Sequence, residues 1–141
     1  MKRLLLFIPI LALLLLPMGC IEGVISSRFN ALIQDATGDY TIKVGGTVGL
    51  NFTGEYEAWL FHFKPDTQSI VYTKESYIVE GQVPSEYTFE GASTAVIFQK
   101  QTGDLTLLRV EVWKDEVLLE WHETTDPWGC VWIMTGPLVG P

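Results

Sequence analysis

The chain has little of the chemistry from which metal sites are built. Its 141 residues include two cysteines and two histidines, whereas a zinc site needs three or four converging protein ligands. His62, His122 and Cys130 fall in three separate predicted strands, and the many acidic residues show no EF-hand spacing. We therefore expect neither a metal nor a cofactor.

Basic residues are scarce as well. Nine lysines and arginines stand against 17 aspartates and glutamates, which gives a formal net charge of −8. Because binding to a phosphate backbone depends on clustered lysine and arginine, nucleic acid is not an expected partner. No polybasic segment flanks the apolar N-terminus, so attraction to anionic lipid would not hold the protein at a membrane.

The N-terminus has the layout of a secretory signal peptide. Met1-Lys2-Arg3 precedes an apolar run over 4–16, and Pro17-Met18-Gly19-Cys20 follows. The stretch from Leu4 to Met18 contains two prolines, and it is shorter than the about 20 apolar residues that a membrane-spanning helix needs. Residues 1–19 are therefore predicted to be a signal peptide.

Gly19-Cys20 resembles the lipobox of prokaryotic lipoproteins, in which the cysteine is lipidated on its sulfur and becomes the new N-terminus. The pattern usually has leucine three residues before the cysteine, where this chain has Pro17. We expect an exported protein that is anchored on the extracytoplasmic face of a membrane by acylated Cys20, with residues 20–39 as the anchor and tether. The alternative is a freely secreted chain in which Cys20 could pair with Cys130.

From Tyr40 onward the chain is rich in β-branched and aromatic residues, with turn residues about every eight to twelve positions. The predicted strands are 40–44, 47–53, 56–64, 69–79, 85–90, 93–100, 105–114, 117–124 and 129–134. No helical apolar stripe separates them, which excludes a helix-covered parallel sheet. The prediction is an all-β, immunoglobulin-like antiparallel β-sandwich of about eight or nine strands over 40–136, followed by a C-terminal tail over 137–141.

Alternating apolar residues predict which side chains face the core. The positions expected inside are Val48, Leu50, Phe52, Trp59, Phe61, Phe63, Val110 and Val112. Cys130 is expected to be a small buried hydrophobe within the apolar segment 130–134.

Three stretches of this region are similar to the MmpS-like group of small extracytoplasmic β-sandwich proteins and to related small lipoproteins. They are Tyr40-Thr41-Ile42-Lys43-Val44-Gly45-Gly46-Thr47, Val83-Pro84-Ser85-Glu86-Tyr87-Thr88-Phe89, and Leu108-Arg109-Val110-Glu111-Val112-Trp113-Lys114-Asp115 followed by Asp126-Pro127-Trp128-Gly129. The resemblance implies an extracytoplasmic sandwich that assists a transport complex. MmpS-like proteins tend to carry a membrane helix and a cysteine pair in the sandwich. This chain has a shorter apolar run and one domain cysteine, and no functional residue is carried over.

One cluster could in principle support covalent catalysis, because a thiol nucleophile needs a base and the base needs an orienting partner. It comprises His122, Asp126 and Cys130. Their strand positions do not require the side chains to meet, so we expect a surface histidine, a turn aspartate and a core cysteine. The protein is predicted not to be an enzyme.

Tryptophan provides the better functional lead. Trp113 shares a predicted strand face with Arg109 and Glu111, and Trp128 lies in a turn. With Trp121, these residues are the candidate ligand-binding side chains, since exposed aromatic patches normally mark interaction sites; the alternative is ordinary core packing. The leading hypothesis is a non-enzymatic lipoprotein that binds a protein partner or assists a membrane complex. The alternative is a module that binds carbohydrate or an apolar ligand.

Overall fold

The computed structural model describes residues 36–136, which form two packed four-stranded antiparallel sheets. The strands are β1 (Gly38–Gly46), β2 (Asn51–Lys64), β3 (Ser69–Gln82), β4 (Ser85–Gly91), β5 (Ser93–Lys100), β6 (Leu108–Lys114), β7 (Val117–Thr124) and β8 (Cys130–Thr135). Sheet A has the order β4-β1-β6-β7, and sheet B has the order β3-β2-β5-β8. The predicted all-β sandwich is confirmed.

The expectations for the signal peptide, Cys20 and the tail over 137–141 lie outside the described residues, as does the tether up to residue 35. Within 36–136, no helix has the length and apolar character needed to cross a membrane.

The core lies between the sheets and is filled by alternate positions of the strands. Side chains that are at most 2% exposed include Tyr40, Ile42, Val44, Phe52, Val96, Phe98, Leu108, Val110, Val112, Val131 and Ile133. Complete burial of one such aliphatic or aromatic side chain contributes about 1.5–3 kcal/mol to stability. The predicted inward orientation of Val110 and Val112 is confirmed.

One long strand replaces two of the predicted ones. The sequence predicts separate strands over 47–53 and 56–64, but β2 runs without a break from Asn51 to Lys64. Gly54 lies within this strand and packs against the Phe98 ring. Any larger residue would clash there, because a Cβ at this position would come within 2.6 Å of that ring. Residues 47–50 form a turn instead, closed by the Leu50 amide, which donates to the Thr47 carbonyl at 3.1 Å.

Two predicted core residues face solvent more than expected. Val48 is 81% exposed because it lies in the turn before β2. Phe61 of the same strand is buried as predicted, but Trp59 is half-buried on the outer face of sheet B because the adjacent Ala58 points into the core. Its indole N–H donates to Glu57 at 3.1 Å, and its ring centroid lies 5.3 Å from that of Tyr72.

A buried lysine closes one end of the core. Lys100 has no exposed surface, and its Nζ donates to the carbonyl oxygens of Asp104 at 2.8 Å, Thr125 at 3.3 Å and Asp126 at 3.1 Å. The Asp104 carboxylate lies 3.9 Å from the same ammonium. Hydrogen bonds from the Thr106 hydroxyl and amide hold the pKa of Asp104 below its usual value. Lys100 thereby joins the two loops that follow β5 and β7.

Replacing Lys100 with methionine, Lys100→Met, should lower the free energy of unfolding by about 2–4 kcal/mol, because three carbonyl groups at the end of the core would lose their shared donor. Denaturant titration measures the loss. The matched control is Lys74→Met, which removes an exposed lysine whose ion pair with Glu57 should contribute less than about 1 kcal/mol. Equal stability of Lys100→Met and the wild type would contradict the anchoring role of Lys100.

Candidate binding surfaces

Two of the three predicted ligand-binding tryptophans lie together on the outer face of sheet A. Trp113 on β6 is opposite Thr41 of β1, and Glu111 is opposite Trp121 of β7. The Trp113 indole N–H donates to the Glu111 carboxylate at 2.9 Å. Glu111 therefore lies between the two indoles and orients one of them.

An open groove of about 780 Å³ runs beside Trp113 across β4, β1 and β6; we call it the Trp113 groove. Its carboxylates are Asp39, Glu86, Glu90, Asp115 and Glu116, and its lysine is Lys43. The hydroxyl groups of Thr41 and Thr88 also line it. The groove is therefore strongly acidic beside the half-buried Trp113 ring.

Tyr40 also lines this groove, although its ring belongs to the core. Burial raises the pKa of its hydroxyl above the usual value. The hydroxyl therefore stays protonated at neutral pH, and it donates to the Ala92 carbonyl at 3.1 Å. This bond joins β1 of sheet A to the segment that leads into β5 of sheet B.

Each indole on this face already holds a cation. Lys43 Nζ lies 4.5 Å from the Trp113 ring centroid, and the Arg109 guanidinium lies 4.1 Å from that of Trp121. Arg109 also pairs with Glu111 at 2.8 Å. Such cation–π contacts are worth about 0.5–1 kcal/mol at exposed sites, so an incoming cationic group could compete with Lys43 for the Trp113 ring.

Trp128, the third predicted residue, is not part of this groove. It is exposed and lies in the loop that follows Thr124, which is opposite Leu108 at the beginning of β6. Trp113 is near the other end of that strand. The Trp128 amide donates to the Thr102 carbonyl at 2.9 Å, and its carbonyl accepts from Gln99 at 3.1 Å. The loop next to Lys100 thus fixes Trp128 away from the other two tryptophans.

The structure does not bring the candidate thiol site together. His122 belongs to sheet A and is hydrogen-bonded to Glu120 at 2.9 Å. Cys130 belongs to sheet B and is exposed, so the prediction that it is a core residue is wrong. Because Val131 and Ile133 point into the core, Cys130 points outward, away from sheet A. The backbone carbonyl of Asp126 accepts a hydrogen bond from Lys100.

Potential metal ligands also stay apart. Within residues 36–136, no three histidine, cysteine, aspartate or glutamate side chains are arranged to hold a metal ion. The expectation about metals and cofactors remains a prediction for the whole chain.

A second surface was missed by the sequence analysis. On the outer face of sheet B, Trp132 is 59% exposed, Met134 42% and Ile97 44%. The strand register places Ile97 opposite Trp132 and Gln99 opposite Cys130. We call these outward side chains of β5 and β8 the Trp132 face; they are Ile97, Gln99, Cys130, Trp132 and Met134. The segment 130–134 is apolar at both odd and even positions, so alternation could not identify its outer side. The one usable signal is that the β-branched Val131 and Ile133 alternate with residues that are not β-branched, Cys130, Trp132 and Met134.

Neither a scan of protein-family models nor a search of curated proteins found a match to this chain. The resemblance to MmpS-like proteins therefore remains a prediction.

Proposed function

We propose that the protein is a non-enzymatic lipoprotein on the extracytoplasmic face of a membrane, which binds a cationic group of a protein partner in the Trp113 groove. An acidic groove supports this role: five carboxylates line it together with a tryptophan whose ring already holds the ammonium of Lys43. A lysine or arginine side chain of a partner can replace that internal cation and gain the carboxylates as well.

The electrostatic contribution favours such a partner. Two opposite unit charges 4 Å apart attract by about 4 kcal/mol at the effective dielectric constant near a protein surface, before desolvation costs are subtracted. A groove in which one sign of charge predominates also raises the association rate of a ligand of opposite sign. Binding should therefore weaken as salt increases.

The N-terminal segment supports attachment to a membrane. With Cys20 as the lipid-bearing residue, the chain from Cys20 to β1 at Gly38 would reach at most roughly 60 Å. That reach allows the sandwich to contact a neighbouring membrane complex, in keeping with the accessory role that the MmpS-like resemblance implies.

Carbohydrate binding is a second candidate. The Thr41 and Thr88 hydroxyls and the carboxylates beside Trp113 could bind sugar hydroxyl groups. A sugar ring stacked on that indole would have to displace Lys43 or use the other side of the ring. Trp128 would not contribute to the same subsite.

Substitution of Cys20 tests the anchor. In the full-length chain, Cys20→Ala should move the protein from the membrane fraction to the soluble fraction. The intact mass of the variant should also lack the mass of the lipid that the wild type carries. The matched control, Cys130→Ala, changes the other cysteine and should remain membrane-bound. A wild-type chain that is unmodified and soluble would contradict the anchor.

Charge reversal tests the groove. A synthetic decalysine peptide serves as the probe, and binding to the full-length protein is followed by calorimetry. The double variant Glu86→Lys/Glu90→Lys should weaken binding at least about tenfold, because like charges would replace the attraction. The matched control, Glu75→Lys/Glu80→Lys, makes the same charge change on exposed positions of β3 and should weaken binding much less.

Two outcomes would count against this role. Equal losses in both double variants would show that the peptide responds only to net charge. Selective binding on a glycan array that is lost in Trp113→Ala and insensitive to salt would favour the carbohydrate candidate instead.

A further inference from the structure

The four edge strands of the sandwich differ in charge. Exposed sheet edges invite pairing with other chains, and proteins usually protect them with charged residues. Three edges follow this rule: β3 carries Lys74, Glu75 and Glu80, β4 carries Glu86 and Glu90, and β7 carries Glu120 and Glu123. The fourth edge, β8, has the sequence CVWIMT and no charge at all.

The unprotected edge borders the Trp132 face. Within the described part of the chain, β8 pairs with β5 on one side and with no strand on the other. Its outward side chains are Cys130, Trp132 and Met134, and the β5 side chains beside them are Gln99, Ile97 and Ala95. The β8 edge and the outward β5 positions beside it thus carry no charge, and the carboxylates of Glu55 and Glu57 on this face lie one strand further in, on β2.

We infer that two copies of this chain pair through β8, antiparallel, across a two-fold axis at Trp132. Charge favours a second copy over another partner. A basic partner would be drawn to the acidic groove of sheet A, whereas a second copy carries the same acidic excess and must approach where carboxylates are absent. The β8 edge is the edge that meets this condition. The inference depends neither on lipidation of Cys20 nor on ligand binding in the Trp113 groove.

The strand geometry fixes the register of this contact. Opposite residues of an antiparallel pair point to the same side, and a two-fold axis makes the contact self-complementary. An axis at Trp132 uses all of 130–134, so that Trp132 faces Trp132 of the second copy and Cys130 faces Met134 of the second copy. The two copies of sheet B would then form one continuous sheet, and the two Trp132 faces would adjoin.

Cysteine cross-linking in a Cys20→Ala background, which removes the one other native cysteine, tests this register, because directly opposite Cβ atoms lie about 4.5–5.5 Å apart. Met134→Cys, with native Cys130 retained, should give a covalent dimer under mild oxidation. Trp132→Cys in a Cys130→Ser background should also cross-link across the axis. The matched control is Ser76→Cys in the Cys130→Ser background, at an exposed outer-face position of the β3 edge, and it should stay monomeric on denaturing gels.

Analytical ultracentrifugation supplies a readout that needs no introduced cysteine. The wild type should show a monomer–dimer equilibrium, and Trp132→Lys should raise the dimer dissociation constant at least tenfold. The control is Ile78→Lys, a more exposed apolar position on the same sheet face but on β3, which should leave the constant unchanged. A wild type that is monomeric at all concentrations, or cross-linking of Ser76→Cys as strong as that of Met134→Cys, would overturn the inference.

Discussion

The alternation of side chains along the strands is the constraint on which the rest of the structure depends. Once Val110 and Val112 point into the core, their neighbours Arg109, Glu111 and Trp113 must point outward on sheet A. The same rule places Trp132 and Met134 outside on sheet B because Val131 and Ile133 fill the core. Core packing therefore determines both surfaces, although neither surface contributes much to the core.

The fold could be predicted where periodicity and turn chemistry agree. The bounds of β5 and β7 match the predicted 93–100 and 117–124 to the residue. The predictions of buried residues were wrong where the local pattern is ambiguous or where tertiary contacts determine the position of a side chain. Cys130 lies in a segment that is apolar on both sides, and Val48 lies in a turn held by the Thr47 amide, which donates to the distant Leu107 carbonyl at 2.9 Å.

The candidate site was only partly predictable for the same reason. Trp113 and Trp121 lie on one face because neighbouring strands of one hairpin carry them, and that relation is local in sequence. The groove carboxylates come from β1, β4 and the turn after β6, so their convergence depends on sheet order, which periodicity does not specify. Trp128 is placed by a loop that Lys100 holds through backbone carbonyls, and side-chain patterns do not encode such a contact.

The two outer surfaces have opposite character and can serve different partners at once. The acidic Trp113 groove suits a cationic ligand, and the uncharged β8 edge suits a second copy of the chain, which the groove would repel. Amide hydrogen exchange of the full-length protein at increasing concentration tests this division of the surface most directly. The amides of β8 should exchange more slowly as the protein concentration rises, while those of the charged β3 edge should not change. Exchange in β8 that is independent of concentration, or equal slowing at β3, would contradict this division of the surface.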